Sequence, residues 1–379
     1  MPGPRLPDHA RILVIKAAGL GDVVLALPAL RMLRRAYPHA HIDLLTTPPA
    51  AALLRDSPLV DRVLTFDKTP FDAPSVVLRA PWRLPALVRL ACRLHAARYD
   101  AVLLFHHLTL PFGRLKYRLL LATTGWARSY GLDNGHGGFL TVRVPDAGFG
   151  ARHEAAYCLA VAQAAGAAIL PACDGPRLAD LGWDDAPERA LATPPLVALH
   201  PGSGTYSLAR RWPLPRFVAL ARALHRDAGA DILLVGGHDE RDLIAAACQS
   251  LGDVPWVART EPDITPRALA AQFARCDLFV GNDAFPAHLA AAAGVPVVAI
   301  FGPSNAAAWR PLPRDAARPV VVVRRDLPCS PCFYRGRALG TPQGCPPRPC
   351  LEDLPVVAVL REALRLLERD PAPAGLGRA

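Results

Sequence analysis

The sequence predicts an α/β protein built from two doubly wound parallel sheets, each with helices on both faces. Three observations predict it. The chain has 379 residues, more than one hydrophobic core ordinarily organises, so two domains are expected. Short β-branched or Leu-rich runs alternate with longer helical patterns, the rhythm of βαβ units. That rhythm lapses over residues 166–195, where Pro171, Asp174-Gly-Pro176 and Thr193-Pro-Pro195 fall close together, and then restarts. The expected layout is a Rossmann-like domain over 1–175, a linker over 176–195, a second Rossmann-like domain over 196–352, and a helix with a loose tail over 353–379.

The elements follow in order. A strand over Ile12–Ile15 leads to a helical stretch over Val23–Ala36 and a strand over His41–Thr46; the pattern recurs with a strand over Ala101–Phe105 and continues to about residue 165. Pro28 interrupts the first helix about two turns in, which removes a backbone hydrogen bond and favours a kink. After the linker come a strand over Leu196–His200, a helix over Pro215–Asp227, a strand over Asp231–Val235, and helices over Asp239–Ser250 and Pro266–Arg275. A strand over Leu278–Val280, a helix over Pro286–Ala293 and a strand over Val297–Phe301 complete the repeat, and Asp353–Asp370 reads as an amphipathic helix.

Composition narrows the function. Hydrophobic residues make up 51% and charged ones 20% of the chain, which supplies a buried core and excludes a disordered protein. The net charge of +10 points to an anionic partner. Almost all of the positive charge is Arg, with Lys only at positions 16, 68 and 116. Because Ala and Pro are also heavily used, this is partly compositional bias, and nucleic acid is not the expected partner. Residues 1–10 contain no apolar stretch of the signal-peptide kind, and the longest apolar run, Leu289–Phe301, is broken by Gly294 and Pro296. The expectation is a cytoplasmic protein whose membrane contact, if any, is peripheral. Nine cysteines are then expected as thiols. Four of them, Cys329, Cys332, Cys345 and Cys350, have the spacing Cys-x2-Cys-x12-Cys-x4-Cys, close to a zinc ribbon but with a wide second pair; structural zinc, separate thiols and packing are all open readings.

Doubly wound sheets bind ligands beyond the carboxyl ends of their strands, so the loops after Ile15, His200, Val235 and Val280 are where chemistry is sought. The first is Lys16-Ala-Ala-Gly-Leu-Gly-Asp22. Gly19 and Gly21 permit a tight turn, and Asp22 opens the helix. One reading makes Gly19-Leu-Gly21 a truncated dinucleotide fingerprint with Asp43 as the ribose ligand, although Val24 stands where a third glycine belongs. Another makes Asp22 a catalytic base. A third makes Asp22 a helix cap, a contact of about 1 kcal/mol.

The second loop, His200-Pro-Gly-Ser-Gly-Thr205, offers backbone N–H groups and hydroxyls suited to phosphate oxygens, and Arg210-Arg-Trp-Pro213 adds charge; a solvated basic pair is the bland alternative. The third segment, Gly281-Asn-Asp-Ala-Phe-Pro-Ala-His288, runs from a strand into a helix whose N-terminus can meet a diphosphate. There Asp283 is either a ligand contact or a cap, and His288 either a ligand contact or a core imidazole.

Taken together, Lys16-x-x-x-x-Gly21-Asp22 with Leu27-Pro-Ala-Leu30, His200-Pro-Gly-Ser-Gly with Arg-Arg-Trp-Pro213, Val235-Gly-Gly-x-Asp-Glu240, and Gly281-Asn-Asp283 to His288-Leu-Ala with Gly294-Val-Pro resemble family 9 of the glycosyltransferases. These are the heptosyltransferases that use ADP-heptose to build the inner core of lipopolysaccharide, and the likeness covers nearly the whole chain. It implies a GT-B fold with an N-terminal acceptor domain, a C-terminal donor domain and a cleft between them, and an inverting, metal-independent transfer that needs no cofactor. By position, Asp22 matches the family's general base. Arg210 stands where the family carries a basic residue, usually Lys, and Asp283 and His288 match its donor loop; Ser203 and Gly204 fall in the same donor set, and Lys16 and Gly21 on the acceptor side. The family usually has Ser or Thr and then Gly after the aspartate, whereas this chain has Ala284 and Phe285.

The acceptor is expected to be Kdo-lipid A or heptosyl-Kdo-lipid A at the cytoplasmic face of the inner membrane. Arg79, Arg83, Arg89, Arg93, Arg114, Lys116 and Arg118 supply basic charge for that anionic surface. Two alternatives stand beside this reading: a catalytically altered ADP-sugar-binding protein, motivated by Ala284-Phe285, and an NAD(P)-dependent oxidoreductase, motivated by Gly19-Leu-Gly21 and Asp43.

Overall fold

A computed structural model describes residues 5–67, 84–125, 127–168, 175–184 and 193–368. Arg79, Arg83 and the tail over 371–379 lie outside the described residues. The chain divides into two compact units. The first comprises Met1–Ala172, Ala179–Trp183 and Gly336–Ala338; the second comprises Cys173–Leu178, Asp184–Arg335 and Leu339–Ala379.

In the first unit the elements are β1 (Arg11–Lys16), α1 (Leu20–Ala36), β2 (His41–Thr46), α2 (Pro48–Leu53), β3 (Arg62–Thr65), α3 (Leu84–Ala96), β4 (Ala101–Leu104), α4 (Pro111–Ala122), β5 (Arg128–Asp133), β6 (Val142–Pro145) and α5 (Glu154–Ala164). The strands form one sheet in the order β3-β2-β1-β4-β5-β6, and every pairing is parallel. Strands buried on both faces read as continuous apolar runs, and Ala101–Leu104 is buried throughout. One face carries α3 and α4, whose Leu94, Tyr117, Leu120 and Leu121 join Leu13, Ile15, Leu45 and Leu104 in one cluster. Elsewhere in the unit α1 packs on α5. The helix α1 begins at Leu20 rather than Val23 because Gly19 serves as its cap, and it continues through the buried Pro28 to Ala36. A buried ion pair fixes it from below, Arg31 reaching both oxygens of Asp180 at 3.1 and 2.8 Å.

The second unit repeats the plan with β7 (Leu196–His200), α6 (Leu214–Ala228), β8 (Asp231–Leu234), α7 (Arg241–Leu251), β9 (Val257–Arg259), α8 (Pro266–Phe273), β10 (Leu278–Asn282), α9 (Phe285–Ala292), β11 (Val297–Ile300), α10 (Ala306–Trp309), β12 (Val320–Val323), α11 (Pro349–Glu352) and α12 (Val356–Leu367). Its sheet order is β12-β11-β10-β7-β8-β9, again parallel throughout. One core cluster takes in α6, α7 and α12 against Leu199, Ile232, Val280 and Ile300. Each sheet reverses its winding between its two central strands, β1 and β4 in the first and β7 and β10 in the second. The loops that leave those four strands therefore open at the topological switch points, where such sheets bind ligands.

Two alternative readings of the sequence find no support in the structure. The zinc reading of Cys329, Cys332, Cys345 and Cys350 is not supported: among the described residues no group of three or more His, Cys, Asp or Glu could hold a metal ion. The wide second pair lets Cys350 turn into the core cluster, where burial pushes its thiol up to about 11, while Cys329 and Cys345 stay exposed. The ribose role of Asp43 fails too. Its carboxylate is fully buried and accepts from Arg62 at 3.3 and 2.8 Å and from the Tyr99 hydroxyl at 2.5 Å, which spends it inside the first unit. No helix among the described residues is long and apolar enough to cross a membrane.

Candidate functional site

Each unit has its own switch point. At the first, β1 ends in Lys16, whose carbonyl accepts from the Thr46 hydroxyl at 2.8 Å, and the Ala18 carbonyl accepts from Thr47 at 3.0 Å. The Ala17 N–H donates to His106 Nε2 at 2.8 Å, so residues following β2 and β4 hold the loop from both sides. Asp22 is half-buried in the first turn of α1 and accepts from the Gly19 N–H at 3.2 Å. This is the capping contact, made by one carboxylate oxygen.

Lys16 is buried, and its ammonium lies 3.8 Å from Glu154 Oε2. Glu154 Oε1 is 2.8 Å from His107 Nε2, and His107 Nδ1 is 2.9 Å from Asp146 Oδ2. Burial works against the charge of Lys16, but Cys158, Glu154 and Asp22 around it more than compensate and raise its pKa above the usual lysine value. Burial likewise opposes the His107 imidazolium, and the flanking Asp146 and Glu154 overcome it, raising the ring to about 9. Sequence reading missed His107, Asp146 and Glu154. Lys16 ends β1, and Gly21 and Asp22 lie in the first turn of α1. Arg114 is engaged close by, donating to the carbonyls of Leu108 at 2.8 Å and Thr109 at 2.6 Å, and Lys116 sits over the ring of Tyr117.

At the second switch point the loop after β7 folds back on itself. The Ser203 hydroxyl is buried, donating to the Ser207 carbonyl at 2.9 Å and accepting from Arg211 Nε at 3.3 Å. Arg210 joins this loop to the one after β10: it donates to the Ser203 carbonyl at 2.8 Å and to the Asp283 carbonyl at 2.8 Å, and its guanidinium lies 3.4 Å from Asp283 Oδ2. Asp283 is therefore spent on Arg210, and α9 has no side-chain cap at Ala284. Helix α9 starts at Phe285, one residue before the predicted Pro286, since proline is well suited to a first helical turn. Pro286 carries no N–H and the Ala287 N–H donates to the Ala284 carbonyl at 3.1 Å, so the first turn keeps few N–H groups for an anion. Phe285 is half-buried there, and His288 is buried one turn on.

Two residues not singled out by sequence build this site. Asn282 accepts from the Trp212 N–H at 3.0 Å and donates to the carbonyls of Pro201 and Gly202 at 2.9 and 3.0 Å. Glu240 accepts from the Gly204 N–H at 2.9 Å and lies 3.0 Å from His200 Nε2. The packing is close enough that a Cβ on Gly202 would come within 1.9 Å of Glu240 Oε1. Burial opposes the Glu240 charge, yet the His200 ring and the N–H groups of Gly204 and Gly237 hold its carboxyl down at about 2. The signal was present in Val235-Gly-Gly-x-Asp-Glu240 and Gly281-Asn-Asp283, but only as motif letters without partners.

The family model described as glycosyltransferase family 9 (heptosyltransferase) matches residues 87–341. A lipooligosaccharide heptosyltransferase 2 of Campylobacter jejuni is 31% identical over 177 residues, 46% of this chain and 51% of the relative, so the chain spans about half the length of that relative. A lipopolysaccharide heptosyltransferase 1 of Pseudomonas aeruginosa is 27% identical over 336 residues, 86% of each chain. Among solved structures, E. coli heptosyltransferase WaaC with ADP superposes with a TM-score of 0.65 at 20% identity, covering 94% of this chain and 99% of that one. E. coli ADP-heptose lipopolysaccharide heptosyltransferase II gives 0.63 at 22% identity over 94% and 98%. These superpositions establish the GT-B fold class, two Rossmann-like units in one chain. With the family match running from α3 in the first unit to beyond the donor-type loops of the second, the chain belongs to glycosyltransferase family 9.

Proposed function

We propose that the protein transfers heptose from ADP-heptose to a hydroxyl of a lipopolysaccharide core acceptor, Kdo-lipid A or heptosyl-Kdo-lipid A, with inversion and without a metal or other cofactor. The observation that carries this reading is the second switch point, where Arg210 and Arg211 both meet the Gly/Ser loop at Ser203 and Arg210 ties it to the loop before α9. Such a constellation suits a departing diphosphate, which needs cationic and N–H stabilisation as its charge develops. Arg210 and Arg211 supply that charge in the role a divalent cation fills elsewhere. Ser203, Gly204, Asp283, Ala284, Phe285 and His288 line the same donor set.

In the chemical step the acceptor hydroxyl oxygen attacks the anomeric carbon from the face opposite ADP. The new C–O bond forms as the bond to the β-phosphate oxygen breaks, Asp22 takes the hydroxyl proton, and ADP leaves with the bonding pair. Lys16, Gly21, Arg114 and Lys116 belong to the acceptor side. Support for an anionic, lipid-linked acceptor comes from α3 and α4, which contain no acidic residue. Leu84, Val88, Leu110, Leu115 and Leu119 are exposed on or beside them, interspersed with Arg89, Arg93, Arg114, Lys116 and Arg118. Apolar and basic groups mixed on one surface suit the headgroup region of an anionic membrane, and the protein acts peripherally at the cytoplasmic face.

Calorimetric titration with ADP, UDP, GDP and NADH tests the donor assignment. Selective ADP binding that weakens at least tenfold in Arg210→Ala is expected. Preference for UDP or GDP would change the donor, and binding of NADH alone would overturn the reading.

A further inference from the structure

Tyr206 stands on the loop after β7, between Ser203 and Arg210, and is 58% exposed. An exposed ring is ordinarily free to turn, yet this one is held by its backbone, its hydroxyl and its face. The Ser203 hydroxyl donates to the Ser207 carbonyl at 2.9 Å and the Ser207 hydroxyl donates to the Pro342 carbonyl, which fixes the loop around it. Its own hydroxyl accepts from that of Tyr334 at 2.9 Å. Its ring lies under Arg210, whose guanidinium carbon is 5.8 Å from the ring centroid, within cation–π range.

Tyr334, in the short strand Phe333–Arg335, is itself held against a backbone preference. Its φ of 50° lies in the left-handed region, which a bulky side chain rarely adopts. Asn305 donates to its carbonyl at 3.0 Å while capping α10, and the ring of Trp309, the last residue of α10, lies 4.4 Å from its own.

We propose that Tyr206 is a specificity-determining residue of the donor site: its ring, steadied by Tyr334 and Arg210, stacks against the sugar of the nucleotide sugar. The proposal rests on the reading of the second switch point as the donor site.

Three arguments carry it. First, restraining an exposed side chain gives up rotamer freedom and buries little area in return. The fold gains its stability from buried rings such as Trp212 and Phe217; a ring held in place at the surface lowers the cost of ordering it on binding. Second, Arg210 is fixed by the Ser203 and Asp283 carbonyls, so the place of the ring beside it is fixed too. In an ADP-sugar the transferred sugar is bonded directly to the β-phosphate, whereas adenine is set off from the α-phosphate by the ribose. A saccharide, not the base, is therefore the group that falls beside the cation serving the diphosphate. Third, Tyr206 offers an apolar face with a polar rim. Its hydroxyl accepts from Tyr334 and keeps its own hydrogen to donate, which suits a sugar ring with C–H groups on its face and hydroxyls at its edge.

Calorimetric titration of the full chain with ADP and with ADP-heptose, no acceptor present, reads the sugar's share as the ratio of the two dissociation constants. In Tyr206→Ala the preference for ADP-heptose over ADP falls by about tenfold, with ADP affinity unchanged. Tyr206→Phe, which keeps the ring, and Tyr334→Phe, which removes only the hydroxyl that steadies it, each lose a smaller part of that preference. Tyr206 fills no core, so its variants keep the fold.

An unchanged preference in Tyr206→Ala overturns the proposal, whether or not ADP affinity falls. Equal weakening of both ligands assigns the ring to the ribose, the base or the support of Arg210, and no weakening leaves it without a ligand. Failure of the donor reading shows differently: the wild type then binds neither ligand, or Arg210→Ala binds both unaltered.

Discussion

Glu240 stands in the sequence only as a motif letter without partners, yet the loops after β7 and β8 both close on it. Its partners His200 and Gly204 lie 40 and 36 positions away, and only the parallel pairing of β7 with β8 brings them together. Because its carboxyl is held at about 2 against an ordinary 4.5, its contribution to stability is present above about pH 4.5 and is lost as the pH falls toward 2. That displacement corresponds to roughly 3 kcal/mol. Glu240→Gln should therefore destabilise the chain by about 2 kcal/mol at pH 7 and reduce the loss of stability between pH 4.5 and 2. Urea unfolding at pH 7 and pH 3 checks this, and an unaltered pH dependence would contradict it. The same topological reason hid His107, Asp146, Glu154 and Asn282. Asp22, Ser203, Arg210 and Asp283 could be proposed from sequence because each lies within a short stretch after a recognisable strand. Asp43 was misleading for a related reason: its position after a strand fits a ribose ligand, but Arg62 and Tyr99 claim its carboxylate.

At the scale of elements, periodicity located the strands and helices well and their ends less well. Helix α1 gains its first turn from Gly19 and Asp22, contacts that no hydrophobic pattern records. Helix α9 shows how one sequence departure acquires a physical meaning. Ala284 gives the helix no side-chain cap and Arg210 occupies Asp283, so the Ala287 N–H turns to the Ala284 carbonyl instead. The pair α3 and α4 carries the membrane prediction. Replacing exposed Leu115 and Leu119 by Glu leaves the buried Tyr117, Leu120 and Leu121 in place. The double variant should lose most of its binding to vesicles containing anionic phosphatidylglycerol, with ADP affinity unchanged. Cosedimentation measures it, and full retention on the vesicles would remove this surface from the acceptor side.

For the whole molecule, both sheets have the same winding order, and each puts its candidate residues on loops leaving its two central strands. That duplication was readable from the restart of the βαβ rhythm at residue 196. The strand order was not, because a sequence shows which strands exist but not which neighbours they choose. The late cysteines show the converse limit: their spacing left metal, separate thiols and packing open, and the structure shows Cys350 packed in the core cluster.

The central claim is heptosyl transfer with Asp22 as the base, and the most direct test is incubation of the purified chain with ADP-heptose and Kdo-lipid A or heptosyl-Kdo-lipid A. Mass spectrometry of the lipid and simultaneous measurement of ADP read out the reaction. The account predicts acceptor gaining one heptose in step with ADP release by the wild type, and loss of at least a thousandfold in rate in Asp22→Asn with ADP binding intact. Transfer undiminished in Asp22→Asn, or ADP-heptose bound by the wild type with neither acceptor converted, would contradict it.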